Sequence, residues 1–343
     1  MTSLSSSSRG RGPTIRDVAR HAGVSVATVS RVINNSPLVV EPTRARVQAA
    51  VDALGYRLNA TARNLSIGRA MAIGVVVPFF TAPSVIERLR GVVERLGRGE
   101  RREYDLMLFD VEAPEQRDGA LRDLARRDRV AGLLIISLPI SDAEVAALER
   151  DGMPAVLVDS FHARLPRVVI DNVHGGALAA RHLLARGHRR IGFVGDHRTN
   201  PYGFTSSEDR RLGFIGALEE AGVEHDPELE RFGPHGRDEA GQLVESLLGL
   251  PDPPSAIFAA SDLQAIGALK AAERLGARVP EDVAVIGFDD IDMAEIVGLT
   301  TVHQPLHEGG ALAADLLLSA IEGGASQPME ERQTLTVVER RTT

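Results

Sequence analysis

The chain has 343 residues, 43% of them hydrophobic, and a formal net charge of −8. That length exceeds one ordinary core and implies two or three domains, and the absence of cysteine excludes a disulfide framework and any thiolate metal site. No apolar run reaches bilayer length and the first residues, MTSLSSSSRGRGP, lack the apolar centre of an export signal, so a cytoplasmic protein with a disordered tail over 1–12 is expected.

The charge is unevenly spread. Residues 1–68 hold nine arginines against three acids, a surplus of six positive charges, which leaves −14 on the remainder. A basic head on an acidic body suits a polyanionic partner at one end only. Within the head, residues 14–35 read TIRDVARHAGVSVATVSRVINN. Ile15, Val18, Ala19 and Ala22 recur at helical spacing, and Thr14 with Asp17 three residues on has the pattern of a capping box. Gly23 allows the left-handed residue that ends a helix. Ser25 is placed to cap a second helix, with Val29, Val32 and Ile33 turned inward and Val26, Ala27, Ser30 and Arg31 outward. Such a face fits a DNA major groove, where arginine pairs with guanine and small apolar side chains touch a thymine methyl. The competing reading is a plain helical hairpin with a solvated arginine.

This stretch resembles, almost residue for residue, the headpiece of the lactose/galactose-repressor (LacI/GalR) family of bacterial transcription factors. The likeness continues through RHLLARGHRRIGFVGD, RRLGF, SDLQAIGAL and VAVIGFDD, so it covers the chain from about Thr14 onward. It implies a helix-turn-helix DNA-binding domain over 13–58. A third helix from about Pro42, with Val47, Ala50, Val51 and Leu54 on one face and Gly55 at its end, packs behind the first two. The implied DNA contacts are Thr14, Ser25, Val26, Ala27, Thr28, Ser30, Arg31, Asn34, Tyr56, Asn59 and Leu65. Residues 59–70 match the family's hinge helix, which Asn59 is placed to cap. Leu65 corresponds to the leucine that wedges into the minor groove; the alternative is a linker residue packed on the next domain.

From Ala72 short Val/Ile/Leu runs alternate with amphipathic helices, the texture of βαβ units in parallel sheets covered on both faces. The pattern restarts near Asp171. The expected architecture is α/β: the N-terminal helix-turn-helix headpiece, then a body like a periplasmic binding protein, with two doubly wound parallel-sheet lobes. Residues 71–343 then form the effector-binding and dimerisation domain, with lobe one at about 71–170 and 303–326 and lobe two at about 171–302 and 327–343. The tail, Glu331–Glu339, alternates as an edge strand does.

Ligands of open α/β sheets bind beyond the carboxyl ends of the strands. After the first strand stand Phe79, Phe80 and Ser84, in an order that departs from the Asn-Pro-Phe-Phe of many family members; the two rings are either a cleft wall or inter-lobe core. Asp159 ends another strand. The long loop 197–214 carries Phe204 and Ser206 and closes on Arg210, the first arginine of the family's Arg-x-x-Gly-aromatic signature, whose implied role is to contact effector. A guanidinium with five donors suits vicinal hydroxyls or an anion. His235 is a lid or a loop histidine. Ser261 is placed to face the cleft with Asp262 as helix cap; GFDD matches the family's motif, whose first acid, Asp289 here, is implied to accept from ligand hydroxyls, and Asp290, His182 and His188 are read as structural.

No Gly-x-Ser-x-Gly elbow, GxxxxGK[ST] loop or His-Glu-x-x-His motif is present, and no cofactor or metal is implied. The expectation is a non-enzymatic repressor, binding a palindromic double-stranded operator as a homodimer and answering to a small effector. A sugar is preferred, with a purine regulator as the alternative and a solute-binding protein as the remote one. No heptad segment follows the body to build a tetramer.

Overall fold

The computed structural model describes residues 13–33, 36, 38–56, 72–97, 104–111, 113, 129–199, 202–324 and 329–343. Asn34, Asn59, Leu65, the tail over 1–12 and the hinge over 59–70 lie outside them. The chain divides into two compact units, Met1–Arg69 and Ala70–Thr343.

In the first unit, α1 (Ile15–Ala22), α2 (Val26–Ile33) and α3 (Glu41–Leu54) pack around Val18, Val29 and Val47, one fully buried valine from each helix. Ile33 is half-buried at the edge of this core. The Asp17 carboxylate accepts from the Thr14 N–H at 3.0 Å and from its hydroxyl at 2.7 Å, which fixes where α1 begins. Gly23, at φ 65°, ends it in the left-handed region and donates back to the Ala19 and Arg20 carbonyls. Arg44 on α3 donates to the carbonyls of Ser36 at 2.9 Å and Val32 at 3.5 Å, tying α3 to the end of α2.

The second unit holds two sheets. In the first, β1 (Ala72–Pro78), β2 (Asp105–Val111), β3 (Gly132–Ile136), β4 (Ala155–Val158), β5 (Arg167–Ile170) and β11 (Glu330–Gln333) run parallel in the order β11-β5-β4-β3-β1-β2. In the second, β6 (Ile191–Asp196), β7 (Glu230–Gly233), β8 (Ala256–Ala259), β9 (Ala284–Asp289), β10 (Thr300–His303) and β12 (Thr336–Val338) lie in the order β12-β10-β9-β8-β6-β7. Here β12 alone among the described strands is antiparallel. Strands β1, β3, β4, β8 and β9 are buried along their whole length, which is why they read as unbroken apolar runs rather than alternating ones.

Helices α4 (Pro83–Gly97), α5 (Asp142–Arg150) and α11 (Leu306–Ile321) serve lobe one. Lobe two is covered by α6 (Asn172–Ala185), α7 (Ser206–Glu220), α8 (Arg237–Leu248), α9 (Asp262–Leu275) and α10 (Asp292–Val297). The tail departs from the expected division at 327 and from the single edge strand Glu331–Glu339. Glu330–Gln333 pairs with β5 in lobe one, Leu335 is buried in the lobe-two core, and only then does β12 pair with β10. Alternation announces a strand but not which sheet receives it. Here β5 and β10 each present a row of backbone donors and acceptors that needs a partner, and the tail supplies both in turn. The chain therefore passes between lobes around Asp171, at Gln304–Pro305 and again at 334–335.

Candidate functional site

On the headpiece, the Ser25 hydroxyl accepts from the Thr28 N–H at 3.1 Å and lies 2.9 Å from the Thr28 hydroxyl, so it caps α2. Loss of such a cap costs about 1 kcal/mol, and Ser25→Ala is expected to lower the headpiece's unfolding free energy by that amount in a denaturant titration followed by circular dichroism. Val26, at 41% exposure, stands with Ala27 and Arg31 on the solvent face of α2, while Thr28 and Ser30 are half-buried. Tyr56 packs against the headpiece core, and the hydroxyl of Thr14 is engaged by Asp17.

In the body, backbone strain gathers at the carboxyl ends of strands. Phe79, Ser137, Asp159, Asp289 and Asp290 adopt φ of 48°, 55°, 52°, 123° and 59°, each at or just beyond the end of β1, β3, β4 or β9. Side chains other than glycine occupy this region at a cost of about 1–3 kcal/mol each, and such residues cluster at ligand sites. There a cavity of about 110 Å³ opens between the lobes. Lobe one lines it with Ser84, Arg88, Ser137 and Asp159, and the crossover contributes Gln304. Lobe two lines it with Asn172, Asp196, Phe204, Thr205, Ser206, Ser207, Arg210, His235, Ala260, Ser261, Gln264 and Asp289.

The charges in this lining are matched in pairs. Arg88 donates to the Asp159 carboxylate. Arg210 places its guanidinium carbon over the Phe288 ring at 3.6 Å from the centroid, donates to Asn172 Oδ1 at 2.9 Å and to the Ala260 carbonyl at 2.6 Å, and stands 3.6 Å from Asp289. His235, with its side chain 40% exposed at the rim, places Nδ1 at 3.0 Å from Asp196, which also accepts from Gln264 at 3.0 Å.

Burial pulls the Arg210 guanidinium below its ordinary pKa although Asp289 and Asp159 favour its charge. Burial likewise pushes Asp289 up against the opposing pull of Arg210 and Arg88. For His235 burial opposes the charge, but the hydrogen bond and charge of Asp196 outweigh it and the imidazole sits above its usual value. Asp262 is pushed well up, first by burial and then by the charge of Asp289. It is fully buried and accepts from the Ile291 N–H at 3.0 Å and from the Thr301 hydroxyl. Asp262 therefore does not cap α9 as its position after a strand led one to expect; the cap is Ser261, whose hydroxyl accepts from the Gln264 N–H at 3.3 Å.

Of the residues singled out in the sequence, Ser84, Asp159, Phe204, Ser206, Arg210, His235, Ser261 and Asp289 meet in this lining. Phe79 and Phe80 stand outside it, each 40% exposed. Phe79 meets Tyr202 edge-on at 5.1 Å and Phe204 at 6.5 Å, so it joins the lobes at the mouth instead of walling the cavity. The Phe80 N–H donates to Asp110 at 3.2 Å. Sequence reasoning missed Arg88, Ser137, Asp196, Gln264 and Gln304. Arg88 follows Ser84 by four residues, the spacing that puts two side chains on one helix face. Asp196 ends its strand as Asp159 and Asp289 flank theirs. Gln304 stands in a Thr-Thr-x-x-Gln-Pro run that the family resemblance reads as the crossover back to the first lobe, but nothing local marks its side chain as lining the cleft.

Two family models match the chain: bacterial regulatory proteins of the lacI family over residues 14–59, and the periplasmic binding protein-like domain over residues 180–343. The HTH-type transcriptional repressor PurR of Photorhabdus laumondii is 36% identical over 339 residues, 96% of this chain and 96% of that protein. The chain belongs to the LacI family of bacterial regulatory proteins. The family fold spans both units. The Lac repressor bound to ONPG in the repressed state matches with a TM-score of 0.83 and 28% identity, over 97% of this chain and 100% of that one. The transcriptional regulator CelR in its cellobiose complex matches with a TM-score of 0.70 and 32% identity, over 96% and 100%. As a member of this family the chain is a transcriptional repressor with a helix-turn-helix DNA-binding domain and an effector-binding body of two parallel-sheet lobes. Among the described residues no helix is long and apolar enough to cross a membrane, and no cluster of three His, Asp or Glu has the geometry of a metal site.

Proposed function

We propose that this repressor acts in the cytoplasm without a catalytic step, grips a palindromic operator as a homodimer, and is controlled by a small neutral polyol, a sugar or sugar derivative, bound between its lobes. The observation that carries the effector class is the pairing of every carboxylate in the lining: Asp159 with Arg88, Asp289 with Arg210, Asp196 with His235. An anion entering that cavity meets three carboxylates, and a cation meets two guanidiniums. A hydroxyl both donates to carboxylate and accepts from guanidinium, so a polyol can join these pairs without leaving either charge unmatched. A purine is the second reading, favoured by the name of the PurR relative. Against it, Phe204 is the one phenyl ring among the described lining residues, and Tyr202 already stacks on it at 5.3 Å and 8°. A thermal-shift comparison of cellobiose, D-ribose, hypoxanthine and guanine tests the assignment. A sugar should raise the melting temperature, and stabilisation by a purine alone overturns it.

For DNA, Arg31 at the exposed end of α2 supplies the guanidinium and Val26 and Ala27 the apolar contacts, with Leu65 of the hinge in the minor groove. One lost bidentate base contact costs about 1–3 kcal/mol. Arg31→Ala is therefore expected to weaken operator binding roughly 5–150-fold in a mobility-shift titration on the region upstream of its own gene. Dimerisation draws support from an exposed apolar face that spans both lobes: Ile86 and Val93 on α4, Met293 and Ile296 on α10, with Arg90 bonded to Asp292 at 3.1 Å between them.

A further inference from the structure

The side chain of Gln304 is 3% exposed and occupies the crossover between β10 and α11, where lobe two hands the chain back to lobe one. Its Oε1 accepts from Arg88 Nη2 at 3.2 Å, and its Nε2 donates to Asp289 Oδ1. Arg88 belongs to α4 of lobe one and is bonded onward to Asp159; Asp289 ends β9 of lobe two and faces Arg210. One carboxamide thus joins the two charged halves of the cleft, Asp159–Arg88 on one side and Asp289–Arg210 on the other. It also lines the cavity itself. The neighbouring residue is held as well: the Pro305 carbonyl accepts from Gln333 Nε2 at 3.2 Å, so the crossover is braced by β11.

We propose that Gln304 is an internal stand-in for the effector, a clasp that holds the empty cleft together by making the two bonds an effector must take over. A ligand group that reaches Arg88 and Asp289 competes with the carboxamide for both. To replace it without loss, that group must accept a hydrogen bond on the Arg88 side and donate one on the Asp289 side. Hydroxyls and carboxamides do both; carboxylate and phosphate oxygens accept only, and ammonium groups donate only. A buried donor or acceptor left unmatched forfeits its hydration without compensation, so the clasp rejects occupants that satisfy one side alone. Displacing Gln304 also frees the crossover on which the angle between the lobes depends. This deepens the polyol reading of the same cleft, but it can be tested without knowing the effector.

The chain has no cysteine, so Asp151→Cys on lobe one and Ala221→Cys on lobe two, both at exposed positions, place a pair of spin labels cleanly across the cleft. In otherwise wild-type protein, diluted with excess unlabelled chain so that each dimer carries at most one labelled protomer, double electron–electron resonance should report one narrow distance. Gln304→Ala should broaden it and lengthen it by more than about 2 Å, the scale of a true inter-domain rearrangement. Acetamide, which fits the vacated volume and carries both functions, should restore the narrow distance, whereas acetate and methylammonium at the same concentration should not. Gln304→Met keeps the bulk, loses both bonds, and should open the lobes with no rescue by acetamide; it serves as the reporter if the alanine variant does not fold. Adding Arg88→Met to Gln304→Ala should lengthen the distance no further. An unchanged distance in the Gln304 variants, or failure of acetamide to act differently from acetate, overturns the clasp. Neither outcome bears on the sugar assignment, which stands or falls on the thermal-shift comparison.

Discussion

Arg210→Ala is expected to leave a repressor that holds its operator but no longer answers to its effector. The substitution removes a guanidinium that bonds Asn172 and Ala260 and lies over Phe288, and that offers its remaining donors to the cavity beside Asp289. Hydrogen bonds from a charged group contribute about 1.5–3 kcal/mol each. Losing two such bonds to an effector weakens binding by at least about 100-fold, read by calorimetry with the sugar that stabilises the wild type. Operator affinity without effector should stay within a few-fold, because the headpiece is a separate compact unit. Arg210→Lys should not rescue, since one ammonium cannot serve Asn172, Ala260 and ligand from a single fork. An effector affinity unchanged in Arg210→Ala would remove Arg210 from the site.

The same variant has a signature in pH. Burial already lifts Asp289 above the ordinary carboxylate range, with Arg210 as the largest force holding it down. Without Arg210 the folded-state pKa rises further. A carboxyl raised in the folded state favours the fold below its unfolded pKa, near 3.8, and that contribution is lost as pH climbs through the folded value. The melting-temperature gap between wild type and Arg210→Ala should therefore be narrow near pH 4 and widen toward neutrality. A gap that narrows with rising pH would mean that Asp289 does not depend on Arg210.

What could be read from the sequence depended on how far apart the pieces lie along the chain. The headpiece was legible because one run of 22 residues, 14–35, carries its caps, its Gly23 turn, its inward valines and its outward Arg31. Asp159 was found because strands announce their own ends, and sites in open sheets lie there; Asp289 also ends a strand, and its role came from the family's GFDD motif. Applied to β6, the same rule would have found Asp196. Ser137 follows β3 in the same way, but a small hydroxyl residue at a strand end draws no attention until its φ of 55° is seen. The crossover at Gln304 was legible by resemblance but its bonds to Arg88 and Asp289 were not, and the tail's double crossing belongs to the topology, since no periodicity encodes which sheet a strand joins. Phe79 stayed open between pocket wall and inter-lobe contact because two aromatics after a strand suit either. The left-handed backbone at Phe79 sends the ring to Tyr202, a residue 123 positions away.

Gly176→Ala is expected to damage the molecule more than its size suggests, because both cleft arginines are held by glycines on neighbouring helices. A Cβ at Gly176 on α6 would fall on the backbone carbonyl of Arg210 on α7, and one at Gly310 on α11 would fall on the carbonyl of Arg88 on α4. Gly213 returns the contact on α7, its Cβ meeting the Val173 carbonyl. Backbone cannot rotate away as a side chain can, so α6 and α7 must move apart and draw Arg210 away from Asp289. Overpacking of this kind costs about 1–3 kcal/mol or more. With both helices pinned in the core the upper figure applies, a fall of about 6–12 °C in melting temperature for a domain of this size. Gly216→Ala, on the facing helix α7, is the control: a Cβ there meets nothing within 4 Å. Replacing an unneeded helical glycine should stabilise by about 0.5–1 kcal/mol. Calorimetric melts of the two variants should therefore move in opposite directions. Gly310→Ala should match Gly176→Ala in stability while disturbing Arg88 instead of Arg210. If Gly176→Ala melts with the wild type, the close approach of α6 and α7 is not what places Arg210, and its position must be owed to Asn172 and Phe288 alone.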